Sequence, residues 1–87
     1  MLLNEILWLI KHFKMNSELV QLFSNSGYIT ITDGNTRIDI CEQYVTDMFV
    51  RFMWVYKILD DGRFTKMIST PLNEYMSTIS LSEEKEG

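Results

Sequence analysis

The sharpest pattern along the chain is an alternation. Tyr28-Ile29-Thr30-Ile31-Thr32 and Thr36-Arg37-Ile38-Asp39-Ile40 each place isoleucine at every second position, with Asp33-Gly34-Asn35 between them. Two runs of period two around a turn sequence predict an antiparallel hairpin. A two-residue loop at Asp33-Gly34 would set Ile29 against Ile38, and a four-residue loop would set Ile31 against Ile38 and Ile29 against Ile40. A three-residue loop would oppose isoleucines to Arg37 and Asp39, so parity excludes it. Either surviving register sends all four isoleucines to the core.

Helical spacing takes over elsewhere. Leu3, Ile6, Leu7, Ile10 and Phe13 predict a helix over 4–14 with one apolar face, leaving Asn4, Glu5, Lys11, His12 and Trp8 on the other. The segment 18–23 reads as a short helix capped by Ser17 or, preferably, as a strand beside the hairpin; Ser24-Asn25-Ser26-Gly27 ends it either way. A long helix is expected from Tyr44 to Asp60, with Gly62 as its stop. Residues 63–69 suit a further strand, with Phe64 and Ile68 on one side. Thr70-Pro71 then resembles an N-cap and first helical position, and Leu72, Tyr75, Met76 and Ile79 form the inner face of a last helix. The expected fold is α+β: a two-to-four-stranded antiparallel sheet, centred on the hairpin 28–40, packed against two or three helices. A single domain over 1–82 and an acidic frayed tail at 83–87 complete it.

On a helical wheel, Val45–Asp61 carries two apolar stripes. Val45, Met48, Phe49, Phe52, Val55, Tyr56 and Leu59 would cover the sheet. Val50, Trp54 and Ile58 fall opposite, ringed by Asp47, Arg51, Lys57 and Asp61. A helix in a two-layer domain buries one face against its sheet, so the second stripe needs another helix of the chain or another molecule. An aromatic anchor between aliphatics and a charged rim has the make-up of a binding hot spot. The expected partner-binding residues are therefore Val50, Trp54, Ile58, Trp8, Asp47, Arg51 and Asp61.

Charge narrows the partner. The 87 residues carry a net charge of −4, and the eight basic residues are scattered, so a phosphate-gripping surface is disfavoured. Another protein, either a host target or a second copy, is the expected partner. The single Cys41 allows no disulfide within the chain and makes a reducing, cytoplasmic setting the default. The apolar run 2–10 lacks a basic flank and is broken by Glu5, unlike a signal peptide, and 45–59 is too short and too charged to span a bilayer.

Catalytic chemistry finds few candidates. His12 is the only histidine, and one imidazole does not make a metal site; the expectation is that it is a solvated helix residue. A Cys41–His12 dyad has no supporting spacing, Asp60-Asp61 before Gly62 suits a loop, and the glycines are isolated rather than gathered into a phosphate loop. No enzyme activity, metal or cofactor is expected.

Asn4-Glu5-Ile6 opening a helix, Asp33-Gly34-Asn35 turning a hairpin, and Asn73-Glu74-Tyr75-Met76-Ser77-Thr78-Ile79 near the end give the chain a texture that resembles small phage-encoded inhibitors of the anti-CRISPR type, which act on the Cas9 nuclease. The resemblance implies a helix, a three-stranded antiparallel sheet and two further helices, in a protein that blocks a larger host machine by occupying a surface. It does not extend to their acidic imitation of DNA, because this chain is more apolar and carries Arg51, Lys57, Arg63 and Lys66.

Overall fold

The computed structural model describes the backbone of residues 3–86 and the side chains of residues 3–79. The order of elements is α1 (Leu3–His12), β1 (Gln21–Asn25), β2 (Tyr28–Thr32), β3 (Thr36–Val45), β4 (Met48–Ile58), β5 (Phe64–Pro71) and α2 (Leu72–Glu86). The strands form one antiparallel sheet in the order β1-β2-β3-β4-β5, a simple meander. The expectation of two to four strands under two or three helices is thus corrected to five strands and two helices among the described residues.

The largest correction falls on 44–60. It is not a helix but the end of β3, a tight turn and the whole of β4. Its β-branched and aromatic residues (Val50, Phe52, Trp54, Val55, Tyr56 and Ile58) fit a pleated surface better than a helical one. The turn at Thr46-Asp47 has φ of 50° and 65°, the left-handed conformation of both central positions in a type I′ hairpin. Gly62, expected to stop a helix, turns the chain from β4 into β5 at φ 85°.

The register of the central hairpin sets Ile31 against Ile38 and Ile29 against Ile40. Val55 and Met53 continue those two rows into β4. Leu9 and Met15 from the α1 end and Leu72 from α2 close over them, and these nine residues make up the buried hydrophobic core among the described residues. Ile6, Trp8, Leu9 and Ile10 of α1 and Phe13 just after it pack into or against this core, while Leu3 and Leu7 are exposed. In α2, Leu72, Tyr75 and Met76 pack as their spacing predicts.

Both helices lie on the same side of the sheet. Arg51, on that side, holds them together: its guanidinium pairs with Glu5 of α1 and donates to the Asn73 side-chain oxygen of α2. The segment between α1 and β1 is tied down by Asp33. One carboxylate oxygen accepts from the Asn16 N–H at 2.9 Å, and the other accepts from the Asn35 and Thr36 N–H groups, each at 2.9 Å.

Candidate functional site

A meander has two faces, and the helices cover only one. The alternation that sends Ile38, Ile40, Met53 and Val55 toward them sends Arg37, Asp39 and Cys41 of β3 and Val50, Phe52, Trp54, Tyr56 and Ile58 of β4 to the opposite side. The register extends this bare face across the sheet in rows. Phe23, Thr30, Asp39, Trp54 and Ser69 form one row, and Tyr28, Cys41, Phe52 and Pro71 the next. Among the described residues, no helix packs on it.

Its centre is aromatic. The Phe52 and Trp54 rings lie 4.9 Å apart, and those of Tyr56 and Phe64 lie 6.0 Å apart. Trp54 is partly buried by such neighbours, whereas Phe23 and Phe64, toward the two edges, are more than half exposed. Hollows are sunk into the face, and two of them border β4. One, of about 280 Å³, is lined by Cys41, Gln43, Val50, Phe52 and Trp54. The other, of about 420 Å³, is lined by Phe23, Thr30, Thr32, Arg37, Ile58 and Phe64.

The polar groups at the centre of this face are engaged with one another. Asp39 is buried, with its carboxylate side chain 7% exposed. One of its oxygens accepts from the Thr30 hydroxyl at 2.9 Å and from Arg37 Nε at 3.0 Å. The Arg37 guanidinium also sits 5.4 Å from the centre of the Phe64 ring. The Tyr28 hydroxyl has its pKa raised, first by burial and then by the charge of Asp39. What this face presents is an apolar surface with an internally neutralised charge pair, not a set of free acids and bases.

The face continues past the body of the sheet. β2 pairs with β3 only as far as Cys41, and β5 pairs with β4 only as far as Phe52, while β3 and β4 pair with each other out to Val45 and Met48. Beyond the Arg51 clamp the hairpin is therefore a two-stranded arm. Val45 and Met48 lie on its bare-face side, Tyr44 and Phe49 on the other, and all four are exposed, Tyr44 at 78%. The Tyr44 and Phe49 rings meet at 5.3 Å.

The residues expected to bind a partner are divided by this geometry. Val50, Trp54 and Ile58 share the bare face, because a spacing of four is even and a strand keeps it on one side. Arg51 is on the helical side, engaged by Glu5 and Asn73. Trp8 is there too, packed against the core, stacked on His12 at 4.7 Å and edge-on to Tyr75 at 6.4 Å. Asp47 sits at the arm's turn, and Asp61 lies in the β4–β5 turn, where it accepts from Arg63 Nε at 2.5 Å. The helical reading does not place Phe52, Tyr56, Phe64 or Phe23 beside Trp54 on one surface. The even numbering of the first two with Trp54 was the available signal, and it was obscured by the helical reading.

His12 is not simply solvated: its Nε2 lies 2.9 Å from the Tyr75 hydroxyl, whose pKa burial raises. It is separated from Cys41 by the sheet, so the two do not form a dyad. Among the described residues no group of histidine, cysteine and carboxylate side chains could hold a metal ion, and no helix is long and apolar enough to cross a membrane.

No protein-family model matches the chain, and no curated protein or solved structure matches it significantly. The helix, three strands and two helices implied by the resemblance to phage-encoded inhibitors also differ from the helix, five strands and helix found among the described residues.

Proposed function

We propose that the protein is a protein-binding module whose working surface is the bare face of its sheet. The observation that carries this reading is the Phe52–Trp54–Tyr56 row, flanked by Val50 and Ile58, on the side the helices leave uncovered. Large aromatic side chains on an open sheet bring much apolar area to an interface at little cost in conformational entropy. The charge of the face favours a protein over a nucleic acid. Arg37 is neutralised by Asp39, which leaves Lys66, opposite Tyr56, as the remaining cation among its described strand residues. Stacking platforms for single strands combine their aromatics with a positively charged groove, and this face has no such groove. Blocking a larger protein, as the inhibitors it resembles do, is one use of such a surface.

The test uses tagged wild-type protein beside Phe52→Ala and Trp54→Ala, all with far-UV circular dichroism to check the fold. The reading expects a binding event, to another protein or to the chain itself, that the wild type shows and both folded variants weaken at least about thirtyfold, the scale of a central anchor. Variants that keep every binding event of the wild type would overturn it.

A further inference from the structure

This inference rests on the bare face as the binding surface and names what covers it. We propose that the occupant is a second copy of the same chain, packed face to face about a two-fold axis.

The first support is area. Five strands at about 4.8 Å spacing and some eight residues at about 3.3 Å each give a face of roughly 600 Å² in plan. Two copies would therefore cover about 1,200 Å² or more, the lower bound of a stable, standard-size interface. The two edges of the sheet, β1 with five residues and β5 with eight, offer ladders of only about 17 and 26 Å, one strand wide.

The second is charge. An isologous contact sets each patch against itself, so any net charge on it would be repelled. Here the Arg37–Asp39 pair is closed within each copy, and Asp39 also has the Thr30 hydroxyl, so burying the face strands neither ion. Lys66, the other cation of the described bare face, is exposed on the edge strand β5, where the rim of the contact leaves it in water. A partner selected by charge would find little to read.

The third is relief. The Phe52–Trp54 ridge borders the 280 Å³ hollow, and the 420 Å³ hollow lies across the face beside Ile58 and Phe64. A cavity of roughly 150 Å³ already accepts a benzene ring, so either hollow has room for an aromatic side chain. One surface thus carries both knobs and holes, as self-packing requires.

The fourth is permanence. Nine buried hydrophobic residues among those described are a thin core, while Tyr44, Val45, Met48 and Phe49 stand exposed on an arm that a two-stranded ribbon does not stabilise alone. A partner met occasionally would leave these residues in water for most of the protein's lifetime. A second copy is present whenever the protein is. Aligned packing of the two sheets at about 10 Å makes a helix–sheet–sheet–helix sandwich, with Val45 and Met48 of each arm extending over the other copy.

Sedimentation equilibrium over a wide concentration range tests this on wild type, Trp54→Glu and Leu22→Lys, the last at the free edge of β1. The expected result is a wild-type dimer, a Trp54→Glu protein that dimerises at least about a hundredfold more weakly, and a Leu22→Lys protein that still dimerises. Gln43→Lys, at an exposed position lining the smaller hollow, gives the same separation should Trp54→Glu lose its fold. A wild type that stays monomeric at every concentration overturns the second copy. So does a dimer that survives the face substitutions, or one that Leu22→Lys breaks. A monomer that still holds another protein through Phe52 and Trp54 refutes only the identity of the occupant; a dimer and a capture both indifferent to those residues refute the binding face as well.

Discussion

Replacing Asp33 by alanine removes one carboxylate and, with it, the acceptor of three backbone N–H groups. Asn16, Asn35 and Thr36 each donate to it at 2.9 Å, and the side chain joins the segment after α1 to the turn between β2 and β3. A hydrogen bond to an ionised group contributes about 1.5–3 kcal/mol when buried. Asn16 and Asn35 are exposed enough for water to replace part of what they lose, so the net cost is about 2–3 kcal/mol. Against a total of about 4–13 kcal/mol for a chain of this length, that lowers Tm by some 10–20 °C. The effect is also pH-dependent. Burial works to raise the Asp33 pKa, but the N–H groups of Asn16, Thr36 and Asn35 outweigh it and hold the carboxyl below its ordinary 3.8. A depressed native pKa stabilises the fold above the ordinary value, and that contribution is lost as pH falls through the lowered one. Urea unfolding of wild type and Asp33→Ala at neutral pH and in acid should therefore show a gap that narrows below pH 3.8. A gap that stays constant, or one below about 0.5 kcal/mol at neutral pH, would refute this account of the turn.

Lysine walked through β4 should report a period of two: Phe52→Lys and Trp54→Lys keep a cooperative melt, while Met53→Lys and Val55→Lys, which bury an unpaired charge at a cost above about 4 kcal/mol, do not. Circular dichroism and thermal melts check this, and a pattern repeating every three to four residues would contradict the strand. Thr46→Asn with Asp47→Gly places the favoured type I′ pair where the backbone already has φ of 50° and 65°. That change should stabilise the protein by about 1–2 kcal/mol in urea unfolding, and no gain would argue against the turn.

The parts legible from sequence were those where one period stood alone. The isoleucines of β2 and β3 alternate with threonine, arginine and aspartate, and they occupy the core in the four-residue-loop register. Leu72, Tyr75 and Met76 keep strict helical spacing and pack as α2. β4 reads as a helix because it is apolar at nearly every position: the bare side is apolar throughout, and the helical side sets Phe49, Met53 and Val55 among only two charges, Arg51 and Lys57, so no continuous polar face marks the alternation. Spacings of four fit a helix and a strand equally, so Val50, Trp54 and Ile58 remained together under either reading. The turn that separates β3 from β4 is Thr46-Asp47, with no glycine or asparagine to announce it. A clue lay in the charges, since Asp47, Arg51, Lys57 and Asp61 all have odd numbers while 50, 52, 54, 56 and 58 are all apolar. The pattern places Trp8 and Arg51 on a surface because helical wheels cannot show that both helices settle on one side of a sheet, where Trp8 meets Tyr75 and Arg51 meets Glu5.

Cys41, the only cysteine, lines the smaller hollow beside Phe52 and Trp54 and so reports directly on whether that face is covered. The rate at which its thiol reacts with a small disulfide reagent should be high in dilute protein, should fall as concentration rises and copies pair, and should stay high at every concentration in Trp54→Glu. A rate independent of concentration in the wild type, whether fast throughout or as slow in dilute solution as in concentrated, would contradict the claim that the chain leaves this face open and a second copy closes it.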